Sequence, residues 1–129
     1  MRIPWLFLPL ALWAAPPQTV LVSSGQTLYK SYCASCHGVD GKGGGPAAQA
    51  LVMRSSNLCR LAIQNGGKFP VYRVVKMLGG ADEVVAHGGK QMPVWGPAFR
   101  EKAPKDREMA DRVRNLVAFL ESIQERPSK

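Results

Sequence analysis

The chain has 129 residues, of which 46% are hydrophobic, and this is enough for one globular domain with one modest core. Seventeen Lys and Arg residues against nine Asp and Glu residues give a formal net charge of +8. The basic residues stand singly along the chain, which argues against a nucleic-acid surface and favours docking to acidic proteins. General solubility is the other use of such a charge.

Residues 1–15 predict a secretory signal peptide. A short basic start is followed by an apolar run over residues 3–13, and cleavage fits best after the small residue Ala14. This run is shorter than the ~20 residues of a bilayer-spanning helix. Pro4 and Pro9 also interrupt it, so cleavage is favoured over a retained membrane anchor. We therefore expect an exported protein, with an extended leader over residues 16–24.

The first predicted helix covers residues 26–32 and leads directly into a Cys-x-x-Cys-His motif formed by Cys33, Cys36 and His37. This spacing is the attachment signature of c-type haem. Two thiols on one turn of backbone can reach the two vinyl groups at a porphyrin edge, and the adjacent imidazole can ligate the iron. Because bacteria attach this haem outside the cytoplasmic membrane, the motif and the predicted export support each other.

Cys59 is left without a place in this motif. Its neighbours Leu58, Leu61 and Ala62 are apolar, so we expect a buried, inert thiol. The alternative is an intermolecular disulfide that joins a dimer. A zinc site made of the three cysteines and a histidine is disfavoured, because structural zinc sites usually have a second close cysteine pair.

The middle of the chain predicts short helices joined by loops. Residues 38–46 form a glycine-rich loop that can turn sharply and lie against a flat ligand. Asn57 can cap a short helix over residues 58–64, and a second helix begins at residue 70 and stops at the glycine pair 79–80. Residues 82–92 have weak periodicity and are predicted to be mostly loop.

The last helix has the clearest pattern. It begins at residue 105 or 106, ends near residue 125, and its apolar residues recur about every 3.6 positions. These residues are Met109, Val113, Leu116, Val117, Leu120 and Ile123. No segment alternates as a strand does. The sequence therefore predicts an all-α domain of three or four helices joined by glycine-rich loops.

An iron held by His37 has a sixth position to fill, and Met92 is the strongest candidate. It precedes a proline in a predicted loop well downstream of the motif, so it can cross to the opposite haem face. Met53 is too close in sequence to do so. Met77 and Met109 lie on apolar helical stripes, where a methionine usually fills the core.

His87 is the competitor for this position. It lies in the same predicted loop as Met92, next to two glycines, where a histidine is more often solvated than bound to a metal. A thioether ligand gives a higher reduction potential than a second imidazole does. The identity of the ligand therefore decides which partners can exchange electrons with the iron.

From Gly25 onward the sequence resembles the class I c-type cytochromes, in particular the small bacterial monohaem type. Gly25, Tyr29 and the Cys-x-x-Cys-His-Gly run match the family pattern, and the Met-Pro-Val-Trp-Gly run at residues 92–96 is similar to one subgroup. The resemblance implies a cytochrome c fold around one covalently bound haem c over residues 25–125, with a tail at 126–129. It also implies that the first and last helices cross, with Gly25 and Tyr29 against residues 116–120.

Two further contacts are implied by the resemblance. The carbonyl group of Pro46 would accept a hydrogen bond from the His37 imidazole and so orient the ring. Trp95 would lie either beside the haem or in the core.

These observations predict an exported periplasmic electron carrier of a respiratory chain, not an enzyme. Cys33 and Cys36 would attach the haem, and His37 and Met92 would hold an iron that alternates between Fe(III) and Fe(II). We expect a monomer that docks on acidic redox proteins and meets membranes only through partners or an uncleaved N-terminal segment. Two alternatives stay open: an electron-transfer subunit of a periplasmic dehydrogenase or terminal oxidase, and a haem enzyme or gas sensor with an open sixth site.

Overall fold

The computed structural model describes residues 17–79, 92–102 and 105–126. Their five α-helices are α1 (Gln18–Tyr32), α2 (Ala34–His37), α3 (Val71–Gly79), α4 (Trp95–Glu101) and α5 (Asp106–Ser122). Within these ranges there is no β-strand, so the all-α prediction is confirmed. None of the helices described is long and apolar enough to cross a membrane. The predicted signal peptide and most of the predicted 82–92 loop, including His87, lie outside the described residues.

Helix α1 begins at Gln18, so the prediction of an extended leader over residues 16–24 is wrong from that residue onward. Ser23 and Thr27, whose side chains favour helix ends by sequence, lie inside α1. The Ser23 hydroxyl donates to the carbonyl of Val20 at 3.1 Å, and the Thr27 hydroxyl donates to the carbonyl of Ser23 at 3.2 Å. Hydroxyl groups that bond back to the preceding turn are compatible with helical backbone, which is why their presence did not mark a boundary.

Helices α1 and α5 cross at a close approach that Gly25 makes possible. A Cβ atom at Gly25 would collide with the main-chain oxygen of Asn115 and lie 2.8 Å from the Cβ of Phe119. One turn further along α1, the rings of Tyr29 and Phe119 pack with their centroids 5.1 Å apart. Tyr29 and Leu116 are fully buried. The helix crossing expected from the resemblance is therefore confirmed.

The predicted helix after Asn57 is instead two 3-10 turns, Leu58–Arg60 and Ile63–Asn65. The cap itself is confirmed, because the Asn57 side chain accepts a hydrogen bond from the N–H of Cys59 at 2.9 Å. Gly66, with φ at 67°, ends the second turn. A segment this short gains too few helical hydrogen bonds to form an α-helix by itself.

The two later predicted helices are confirmed as α3 and α5, although α5 ends at Ser122 rather than near residue 125. Helix α4 was not predicted, because its sequence contains a glycine and a proline. Pro97 is tolerated in the first turn, where the N–H group has no helical partner. A Cβ at Gly96 would lie 2.9 Å from the carbonyl oxygen of Gly79, so this glycine lets α4 approach the end of α3 closely.

Candidate functional site

The Cys-x-x-Cys-His motif occupies the junction between α1 and α2. Cys33 closes α1, with its N–H group 2.9 Å from the carbonyl of Tyr29. The N–H groups of Cys36 and His37 then donate to the carbonyl of Cys33 at 3.1 and 2.8 Å. The structure thus brings the three motif residues onto one helical turn, as the spacing predicts.

The imidazole of His37 is oriented by a carbonyl group. Its Nδ1 lies 3.0 Å from the main-chain oxygen of Ser56. The prediction that the Pro46 carbonyl accepts the hydrogen bond from His37 is therefore wrong. Residues on both sides of Pro46 are bonded to α2 backbone instead, through Gly45 N–H to the Cys36 carbonyl and Ala47 N–H to the Ser35 carbonyl.

The partner of His37 also fixes its tautomer. A carbonyl oxygen can only accept a hydrogen bond, so Nδ1 carries the proton when this bond is made. The lone pair then lies on Nε2, the nitrogen that remains free to ligate a metal. His37 is buried, at 9% exposure, which restricts the ring further. This arrangement fits the proximal ligand of a haem.

The glycine loop that follows His37 is anchored to the motif. The N–H group of Gly43 donates to the His37 carbonyl at 2.8 Å, and the buried Tyr29 hydroxyl donates to the Gly38 carbonyl at 2.6 Å. Gly38 and Gly43 have φ values of 79° and 86°, a region that residues with a Cβ rarely adopt. The predicted turning loop is therefore confirmed.

The two buried cysteines favour uncharged sulfur. Burial raises the pKa of Cys33 to about 11, with the neighbouring Cys36 as the second cause. A thioether carries no charge, so a sulfur in this position suits a covalent bond to a porphyrin. The neutral form of the second buried cysteine, Cys59, is favoured as well, because burial and then the Glu125 carboxylate raise the pKa of its thiol.

Cys59 is only 4% exposed, and its sulfur lies 3.2 Å from the carbonyl oxygen of Asp40. The prediction of a buried thiol is confirmed. Among the residues that the structure describes, no group of three or more His, Cys, Asp or Glu side chains could hold a metal ion. This gives the zinc alternative no support from the three cysteines and His37.

Apolar side chains remain exposed on α3 and before α4. Val71 and Val75 lie on the same α3 face as the buried Leu78, yet they are 45% and 39% exposed. Met92 and Val94 are also exposed. Side chains of this kind are suited to cover the flat apolar face of a porphyrin.

Met92 forms no hydrogen bond with the three motif residues in the described ranges, but the chain constrains its position. Three residues of chain, at most ~11 Å, separate Met92 from Trp95. The Trp95 ring packs edge-on against Tyr32, with centroids 5.3 Å apart, and Tyr32 directly precedes Cys33. Trp95 therefore serves as core packing beside the motif.

The family model for cytochrome c oxidase, cbb3-type, subunit III matches residues 20–120. The chain belongs to this cytochrome c family. It is a class I c-type cytochrome, and its cofactor is a covalently bound haem c. The match begins within α1 and ends within α5, so it includes the motif, the glycine loop and the crossing of the two terminal helices. No curated protein and no solved structure matches this cytochrome.

Proposed function

We propose that this cytochrome is an exported one-electron carrier. Its haem is attached through Cys33 and Cys36, and its iron is ligated by His37 and Met92. The bound haem supplies an iron that exchanges one electron with each partner. The observation that carries the proposal is the 3.0 Å contact between His37 Nδ1 and the Ser56 carbonyl. His37 lies on the same helical turn as both cysteines. The contact with Ser56 leaves Nε2 of His37 free to ligate the iron.

His37 acts as the fixed ligand. A ring held by a carbonyl cannot rotate freely, so little has to rearrange when the charge of the iron changes. The N–H···O=C bond also makes the imidazole a stronger electron donor, which stabilises the oxidised iron. The Ser56 carbonyl thereby tunes the potential without touching the iron.

Met92 completes the ligand set. Its thioether is uncharged, suits an apolar setting and raises the reduction potential relative to a second imidazole. Pro93 stiffens the backbone directly after it. The exposed side chains of Val71, Val75 and Val94 would supply apolar surface around a haem that Met92 helps to hold.

Replacement of Met92 tests the ligand set. In oxidised haem-loaded Met92→Ala we expect loss of the weak ~700 nm sulfur-to-iron band, and a lower reduction potential than in the wild type. The reduced variant should also bind carbon monoxide rapidly, because its sixth position is open. Met53→Ala is the matched control, because Met53 is also a loop methionine and is half-exposed. An unchanged band in Met92→Ala would disprove this ligand and point to another methionine, whereas a wild type without the band would make His87 the candidate, which His87→Ala would test.

Export and docking follow from the sequence. The predicted signal peptide directs this cytochrome to the periplasm, and the excess of basic residues favours acidic partners. Electron exchange with an acidic partner should slow as ionic strength rises, because screening weakens long-range attraction. The burial of Cys59 supports a monomer over a disulfide-linked dimer, since its sulfur is inaccessible to a second chain.

A second candidate is a subunit of a terminal oxidase. The description of the matching family, a cbb3-type oxidase subunit, favours it. Affinity purification of the tagged cytochrome from its native membranes separates the two candidates. A fixed stoichiometry with one large redox complex supports the subunit, whereas free cytochrome that reduces several acceptors supports the carrier.

A further inference from the structure

We infer that Gln124, at the C-terminal end of the domain, is a positioning residue for His37. It acts through the segment of residues 56–62, which carries the carbonyl that orients the imidazole. The inference rests on the proposed ligation of the haem iron by His37. Gln124, just after α5, would thereby influence the reduction potential of a haem site that lies far away in the sequence.

The side chain of Gln124 uses its whole amide group in hydrogen bonds. Its oxygen accepts from the N–H of Ala62 at 2.9 Å. Its nitrogen donates to the carbonyl of Leu58 at 2.8 Å and to the carbonyl of Leu120 at 2.7 Å. One half-buried side chain therefore joins the last turn of α5 to residues 58 and 62 of the 56–62 segment.

The adjacent main chain adds a third bond to the same segment. The N–H group of Glu125 donates to the carbonyl of Cys59 at 2.7 Å. The side chains of Glu125 and Arg60 add only an exposed ion pair at 3.8 Å. We call residues 124 and 125, with these bonds, the C-terminal clamp.

The opposite edge of the segment is bonded to the loop that follows the haem motif. The N–H group of Leu58 donates to the carbonyl of Gly41 at 2.7 Å, and the Cys59 sulfur lies 3.2 Å from the carbonyl of Asp40. The Ser56 carbonyl accepts from His37 at the same edge. The segment is thus held between the C-terminal clamp and the motif loop.

This arrangement couples Gln124 to the imidazole. Ser56 is two residues from Leu58, whose carbonyl Gln124 holds and whose N–H is bonded to Gly41. Removal of the amide leaves Ala62 N–H and Leu58 C=O without these partners, so the segment can move away from the motif loop. The His37 Nδ1–H bond to Ser56 then lengthens, and the imidazole becomes a weaker donor to oxidised iron. The reduction potential should rise.

The first test uses haem-loaded Gln124→Met, which keeps the length of the side chain and removes its hydrogen bonds. We expect a higher reduction potential than in the wild type. Exchange of the His37 Nδ1 proton, followed by NMR in the reduced protein, should be about tenfold faster, the effect of losing one typical hydrogen bond. Ser122→Ala is the matched control, because it removes a hydrogen bond to the Phe119 carbonyl at the same end of α5 without touching residues 56–62.

Gln124→Glu provides a second test with a built-in rescue. Its carboxylate has no donor for the Leu58 and Leu120 carbonyls, whereas the protonated carboxyl group has one. The difference in potential from the wild type should therefore shrink as the pH falls through the pKa of the introduced carboxyl group. Gln124→Met should show no such recovery at the same pH values. If Gln124→Met does not take up haem, the return of Gln124→Glu toward the wild-type potential at low pH tests the inference by itself, and the absence of that return would overturn it.

The outcomes separate the two proposals. A wild-type protein without His37-ligated haem would overturn the proposed function itself. Normal wild-type spectra, together with variants that lose thermal stability but keep the wild-type potential and Nδ1 proton exchange, would overturn only the inference about Gln124. A shift in Ser122→Ala equal to that in Gln124→Met would overturn it as well, because any weakening of the end of α5 would then have the same effect.

Discussion

The two sides of this cytochrome differ in how much of their structure the protein supplies by itself. The histidine side comprises α1, α2, α5 and the loops bonded to them. There the terminal helices interlock at Gly25, and His37 has a fixed hydrogen-bond partner. The methionine side comprises α3, α4 and residues 92–94. It exposes Val71, Val75 and Val94 instead of burying them.

This difference predicts which parts of the fold depend on the bound haem. Tyr29, Leu116 and Phe119 pack side chain on side chain and need no cofactor to complete their contacts. On the methionine side, Leu78 is buried but its neighbours on the same helical face are not. A porphyrin face is large enough to cover such residues. We therefore expect the histidine side to be organised by the polypeptide and the methionine side to depend on the haem.

The largest expected effect tests this dependence directly. The double variant Cys33→Ala/Cys36→Ala should lose all covalent haem, measured by haem staining after denaturing electrophoresis. Hydrogen exchange should then rise strongly in α3 and much less in α1 and α5, because a helix whose apolar side chains are partly exposed opens most easily.

Cys59→Ala is the matched control for this experiment, because it removes the third cysteine and leaves the motif intact. It should retain covalent haem and the wild-type exchange pattern in α3. An equal loss of hydrogen-exchange protection in all helices of the double variant would contradict this prediction. The histidine side would then depend on haem as much as the methionine side does.

A smaller effect is expected from a pair of glycine variants, one on each side. Gly25→Ala should destabilise the protein by about 3 kcal/mol, because its Cβ would force α1 and α5 apart. Gly79→Ala, at the end of α3, meets no atom of the described residues within 4 Å and should raise stability by up to ~1 kcal/mol. Denaturant unfolding of both haem-loaded variants measures the difference. A mild effect of Gly25→Ala would show that the terminal helices are not tightly interlocked.

Local patterns were sufficient to predict the features that depend on neighbours in sequence. The haem motif is a spacing within one turn, and the apolar stripe of α5 is a repeat within one helix. Gly25 and Tyr29 gave the correct helix crossing only through the family resemblance. The glycine loop was identified because several glycines follow His37 closely, and the structure confirms its turns.

Contacts between distant segments were not predictable in the same way. The Ser56 carbonyl meets His37 because the 56–62 segment is bonded on both edges, and nothing in the local sequence marks that carbonyl above the one at Pro46. Gln124 is an ordinary polar residue after a helix, yet its side-chain amide joins two segments far apart in sequence by hydrogen bonds. Helix α4 forms through packing of Trp95 and Phe99 against Tyr32, which overrides its weak intrinsic propensity.

The smallest expected effect concerns alkaline pH and the buried thiol of the histidine side. Burial and then the Glu125 carboxylate raise the pKa of Cys59 in the folded state, so the folded protein resists ionisation of this thiol more than the unfolded chain does. The resulting stability is complete below the ordinary thiol pKa of ~8.5 and is lost as the pH rises through the folded value. The free energy of unfolding of the haem-loaded protein should therefore fall more steeply above this pH in the wild type than in Cys59→Ala. Tyr29 is present in both proteins, so the difference between their pH profiles isolates Cys59. Parallel profiles would show that the thiol reaches solvent, and the histidine side would then be less tightly packed than its contacts indicate.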